Sequence, residues 1–294
     1  MTAIPEAGLT LLAPWSWRPD VILVISAFGA AYLVGWRRLR RRGYRRLARG
    51  WRLALYLTGL GTVGLALLSP IDHWASWMFT FHMAQHLLLN MMAPPLLLLA
   101  NPFPVVLWGL PARARPRVGR LLTRRTPVRR ALRALTLLPV AWLVHVGTLW
   151  AWHLPVAYQA ALEHELIHDL EHLTFFATGL LFWWRIVNPA PRLHGRPHAG
   201  HILYLLAATA QNTALGALIG LTGRVLYPYY IAPPRLWGFT PLDDQALAGG
   251  LMWGSGHMYL IPILVLIARM LGAEERARQR AEAVRLGPRA EPPR

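Results

Sequence analysis

Cysteine and lysine are both absent from the 294 residues, and acidic side chains are scarce, 13 against 31 arginines. Without cysteine there is no disulfide, zinc ribbon, CxxC redox pair or thiolate metal site. Any metal must be held by His, Met, Asp, Glu or backbone groups. Charged residues make up only 15% of the chain, where a soluble domain carries about a quarter. With 55% hydrophobic residues, this composition excludes a disordered chain, a collagen-like fibre and a disulfide-stapled domain. It points to an integral membrane protein. Met1 to Thr10 lacks a basic stretch followed by a short apolar core and a small-residue cleavage site, so no removable signal peptide is expected. A GxSxG elbow and a P-loop are also missing.

The net charge of +18 invites a nucleic-acid reading, which the distribution of charge defeats. The arginines gather in blocks between apolar runs long enough to span a bilayer, about 20 residues each. Seven runs are found, near 20–36, 51–68, 74–100, 134–152, 163–187, 201–221 and 246–271. The third is interrupted by Pro94-Pro95. Loops 37–52 and 113–133 hold nine arginines each, loop 185–196 three and the tail 269–294 seven. The opposite side holds only Arg18, Arg224 and Arg235. By the positive-inside rule the rich side is cytoplasmic. The expected fold is therefore all-α, a polytopic transmembrane bundle of seven spanning helices, amino terminus outside and carboxyl terminus cytoplasmic. Residues 1–19 form an extracytoplasmic segment, 20–271 the membrane domain and 272–294 a charged cytoplasmic tail. Residues 101–111 are apolar, Pro-rich and too short to span, and are placed at the inner interface. Residues 223–244 form a Tyr/Pro/Trp-rich outer loop over the bundle mouth, and 273–285 extend the last helix.

Ionisable side chains within spans are costly and mark functional sites. Of twelve histidines, His194, His198 and His201 fall at the cytoplasmic side and nine on spans or their outer ends. His82 and His86 are four apart on one helix face. Counting from Trp74 puts them roughly 12 and 18 Å deep. His164, His168 and His172 form a second stripe, with His168 and His172 roughly 8 and 14 Å from Glu163. His153 ends the fourth span, and His257 lies on the seventh beside Met252 and Met258. Imidazoles from facing helices build metal sites in bundles, with Asp169 and Glu171 available to orient ring nitrogens. Imidazole with optional thioether suits copper, and imidazole alone suits zinc, iron or haem iron. A single membrane histidine also serves as interhelical hydrogen-bond glue, the reading that suits His145. His73 and His153 also fit the interface, and methionines most often fill core space.

Ser69-Pro70-Ile71-Asp72, His82-Met83-Ala84-Gln85-His86 and Ala93-Pro94-Pro95 together resemble the CtaG family. Further matches are Trp152-His153-Leu154-Pro155, His168 with Glu171-His172, and Asp244-Gln245 before Gly249-Gly250 and Met252-Trp253. The resemblance covers roughly residues 20–270. It implies a polytopic membrane protein of the bacterial cell membrane, without catalytic turnover, that acts with cytochrome c oxidase subunits in maturing a caa-type oxidase. Copper binding is inferred from the histidines, with His82, His86, His168 and His172 as first ligands and His153, His164 and His257 as second choices. Copper uptake is an alternative, since such proteins occur with copper-import-like membrane domains. A b-type haem cytochrome, a proton channel or transporter, and a pure scaffold are the others. The expected partners are oxidase subunits and the lipid bilayer, with no nucleic acid.

Overall fold

The computed structural model describes residues 15–123, 125–195, 199–234 and 237–286. The segment before residue 15, Arg124, Arg196, His198, Arg235 and the end of the tail lie outside the described residues. Among the described residues there is no strand. In chain order the α-helices are α1 (Pro19–Arg41), α2 (Gly50–Leu68), α3 (Pro70–Ala75), α4 (Phe79–Leu87), α5 (Ala93–Leu99), α6 (Pro102–Gly109), α7 (Arg115–Leu121), α8 (Pro127–Leu135), α9 (Leu138–Trp152), α10 (Pro155–Glu163), α11 (Glu165–Val187), α12 (Ala199–Gly220), α13 (Pro241–Ser255) and α14 (Leu260–Leu286). Eight of the fourteen start afresh with a proline in the first turn (α1, α3, α6 to α10 and α13). There the missing N–H costs no hydrogen bond and the fixed φ favours helix entry.

Four stretches are long and apolar enough to cross a membrane: α1, α2, α12 and the run Pro241–Arg280. They number up to six if two bent pairs, Phe79–Leu99 with α6 and α8 with α9, each count as one span. The expected fifth span, α11, falls outside this set. Its 23 residues include Glu165, His168, Asp169, Glu171, His172 and Arg185, so the side chains of the candidate site dilute its hydropathy. Large apolar side chains stand exposed along these helices, among them Leu23, Phe28, Leu173, Leu218, Ile261 and Leu264. Such a surface suits lipid and not water.

The expected third span is built from pieces. Helix α3 ends at Ala75, and α4 begins afresh at Phe79. The π-helical turn Leu88–Met92 then leads into α5. Pro94 and Pro95 explain the turn, because they lack the N–H and crowd the carbonyls one turn back, and an extra residue wound into the helix relieves both. The expected fourth span is shorter than its apolar run. Pro139 starts α9, and α8 bends away from it by 72°. At about 1.5 Å per residue, α9 is roughly 22 Å long, short of a hydrocarbon core of about 30 Å. The 101–111 segment forms α6, entered through Asn101 in the left-handed conformation. It lies so close to α1 that a Cβ on Gly35 would sit 1.8 Å from the Val105 carbonyl oxygen.

Two buried clusters fill the bundle on either side of the site. Phe79, Met83, Leu149, Tyr158, Phe175, Tyr227, Tyr230 and Met252 pack at the arginine-poor end. Met91, Leu98, Phe182, Trp183, Tyr204 and Tyr259 close the arginine-rich half. The loop after α12 covers the bundle as expected: Tyr227 and Tyr230 are 1% and 2% exposed.

Candidate metal centre

Helices α4 and α11 carry their imidazoles at matching places. His82 and His86 are the fourth and eighth residues of α4, and His168 and His172 the fourth and eighth of α11. Both pairs therefore lie about 4.5 and 10.5 Å from the helix starts. The break at residues 76–78 means that the count from Trp74 does not run along one continuous helix. Equal distance along the two helices lets the pairs meet. Ring centroids are 4.3 Å apart for His82–His86, 4.1 Å for His168–His172, 5.0 Å for His82–His168 and 5.4 Å for His86–His172.

Local contacts set the two helices. Met78 offers α4 no side-chain cap. The cap arrives from α13: the Asp244 carboxylate accepts the Phe79 N–H at 2.7 Å, the Thr80 N–H at 3.0 Å and the Thr80 hydroxyl at 2.7 Å. Gln85 donates to the Ala66 carbonyl and the Asp72 carboxylate, both at 2.8 Å. Ser16 donates to the other Asp72 oxygen at 2.7 Å. The glutamine of the HMxQH stretch thus fastens α4 to α2 and α3, leaving its two histidines free to face α11. Helix α11 approaches through Gly179, where a Cβ would lie 2.8 Å from Asn90 Oδ1. Arg18 holds the first turns of α11 by donating to both Asp169 oxygens at 2.5 and 2.9 Å. That bond raises the Arg18 pKa further above its ordinary value against partial burial.

Asp169 is therefore engaged by arginine, and its expected role in orienting a histidine ring passes to other groups. Glu171 occupies the middle of the cluster. It is fully buried, with one carboxylate oxygen 3.6 Å from His82 Nε2 and the other 3.7 Å from His86 Nε2. Two sets of ligand atoms converge within 4.8 Å of one another, His82/His86/His172 and His82/His168/Glu171. His82 Nε2, both nitrogens of His86, Nε2 of His168 and His172, and both Glu171 oxygens are buried without a hydrogen-bond partner. Buried polar groups in proteins are usually paired, and the cluster gathers several that are not in one place. Each of the two converging sets offers three ligand atoms to a cation, one from each residue.

The outer loop fixes one tautomer. Tyr230 donates its hydroxyl proton to the Ala75 carbonyl at 3.1 Å, and His82 Nδ1 lies 3.0 Å from the Tyr230 hydroxyl oxygen. His82 is then the donor through Nδ1–H, and its Nε2 lone pair faces Glu171. Tyr230→Phe removes this outer partner. The expected result is a metal affinity about 10–100-fold weaker with the fold retained, measured by competitive chelator titration.

The other expected ligands separate. His153 is buried beside the cluster, its ring 6.3 Å from His86. Its Nδ1 donates to the Leu149 carbonyl at 2.7 Å. His164 is exposed at the junction of α10 and α11, and exposed His257 sits in the 3-10 turn Gly256–Tyr259. The structure brings neither to the cluster. His145 is buried lower down against Phe182, ring centroids 4.5 Å apart. A cavity of about 320 Å³ opens beside the centre, and its lining includes Asp72, Glu163, Glu165, His82, His168 and Tyr229.

The sequence pattern of the cytochrome c oxidase caa3 assembly factors (Caa3_CtaG) matches residues 30–272. The chain belongs to that family. The matched region contains every residue of the cluster, so the caa3 assembly factor fold and the histidine–glutamate centre occupy the same part of the chain. Uncharacterized proteins of Mycobacterium bovis and Mycobacterium tuberculosis are each 27% identical to it over 270 residues, covering 88% of this chain and 40% of theirs. One from Mycobacterium leprae is 26% identical over 261 residues, covering 85% of this chain and 38% of its own. The chain thus spans about two fifths of the length of these relatives. No solved structure matches it.

Proposed function

We propose that this caa3 assembly factor receives copper in the outer half of the bacterial cell membrane and supports maturation of the oxidase copper centres. The observation that carries the reading is the set of seven buried, unpartnered ligand atoms on His82, His86, His168, Glu171 and His172. Copper is cargo here, held by these side chains and passed on to an oxidase subunit. The action is stoichiometric and not enzymatic. In this reading α11 is a seventh span, the arginine-poor end is outside and α14 runs into the cytoplasm.

Three features support this reading over transport and haem binding. The cavity lined by Asp72, Glu163 and Glu165 adjoins His82 and His168, and carboxylates at a mouth concentrate cations. The opposite half of the bundle is closed by Phe182, Trp183, Tyr204 and Tyr259, which disfavours a transport path across the membrane. The facing rings of the two helices, with centroids 5.0 and 5.4 Å apart, suit a small ion better than a macrocycle between them.

Metal content and absorption of the detergent-purified chain test the reading. Copper should bind at about pH 7.5 without a Soret band. Its occupancy should fall as the pH is lowered to about 5, because protons compete for the imidazole nitrogens. A colourless protein that refuses added copper at the higher pH would leave the scaffold role in its place.

A further inference from the structure

Below the histidine–glutamate centre lies a second, smaller cavity of about 20 Å³. That is room for a single water or ion. Its walls include the thioethers Met83, Met91 and Met252 and the imidazoles His86, His145 and His153. The decisive contact is between His153 Nε2 and Met83 Sδ at 3.4 Å. His153 donates its Nδ1–H to the Leu149 carbonyl, so a neutral ring carries only a lone pair at Nε2. A thioether has no proton to give. Two electron-pair donors therefore face each other with no hydrogen between them.

We propose that Met83 and His153 form a second metal position, specific for a soft monovalent d10 ion of the Cu(I) class. With metal–nitrogen and metal–sulfur bonds of about 2.0 and 2.3 Å, a separation of 3.4 Å subtends roughly a tetrahedral angle at a shared ion. Thioether and imidazole together select Cu(I)-like ions over hard divalent ones. His86 lines this cavity and also belongs to the upper centre, with both its ring nitrogens buried and unpartnered. It is the wall common to the two positions. The upper centre offers nitrogen and carboxylate oxygen, the lower one nitrogen and sulfur, so the pair differ in the ion each prefers. The inference deepens the copper-handling reading and rests on it for the supply of the ion.

The test uses the full chain in detergent, loaded with Ag(I) as a redox-inert monovalent probe or with Zn(II) as the divalent one. X-ray absorption of the Ag(I)-loaded protein should show a sulfur scatterer, which in a chain without cysteine must be a methionine. Met83→Leu should remove that scatterer and one equivalent of Ag(I), while Zn(II) binding stays at the wild-type level. Absence of sulfur scattering in the wild type overturns the proposal without any variant. So does a Met83→Leu protein that keeps both its silver equivalents and its sulfur signal. Loss of Zn(II) binding in the wild type itself is a failure of the upper centre and reads separately from either result.

Discussion

The His82→Ala/His86→Ala double variant should insert and fold, yet lose its bound copper and the ability to support oxidase maturation. The expectation of intact folding comes from what holds α4. Its first turn is capped by Asp244, its middle is fastened by Gln85 to Ala66 and Asp72, and Phe79 and Met83 pack in the core. Neither histidine carries those contacts. The expectation of lost copper comes from ligand count. His82 contributes to both sets of converging ligand atoms, and His86 to one. Removing an outer partner of a ligand costs about 10–100-fold in affinity, so deleting two ligands should take occupancy below detection. Copper analysis beside the circular-dichroism spectrum and elution profile reads both parts. A well-folded double variant with unchanged copper content would sink the ligand assignment.

Glu171→Gln should move stability and metal affinity in opposite directions. A carboxylate that is fully buried and has no hydrogen-bond donor is unfavourable in a protein interior without a cation. An uncharged amide of the same shape is cheaper to bury than an unpaired carboxylate. The metal-free variant is therefore expected to melt at the same temperature as the wild type or higher. With copper the order reverses: the wild type gains from binding to its folded state, and the variant, lacking the anionic oxygen, gains much less. Thermal denaturation with and without copper separates this from a structural role. A variant that is less stable without metal and binds copper normally would show Glu171 to be a packing residue.

The residues of the resemblance divide between these tasks once their contacts are known. Asp72, Gln85, Asp244 and Gln245 work as tertiary caps and clamps. Gln245 donates to the Ile219 and Arg224 carbonyls and accepts the Leu226 N–H, which steadies the loop carrying Tyr227 and Tyr230. Trp152 donates to Thr174 at 2.8 Å, and Tyr227 to the His153 carbonyl at 2.9 Å. The converging atoms that could hold a metal belong to a few histidines and Glu171.

The all-helical character, the membrane habitat and the His82/His86 and His168/His172 pairs were all legible in the sequence. Each follows from local facts: long apolar runs, arginine blocks between them and the i, i+4 spacing that puts two side chains on one helix face. Proline positions also marked several helix starts. What followed from tertiary structure alone was where each helix begins in space and which faces meet. The break after α3 gave His82 and His86 the same positions along α4 that His168 and His172 hold along α11. The same packing drew Glu171 into the centre and gave Asp169 to Arg18. A helical repeat specifies the face a residue occupies relative to its own helix. It does not specify the rotation of that helix against its neighbours, which is set by contacts such as Asp244 with α4 and Gly179 with Asn90 across 165 and 89 residues of chain.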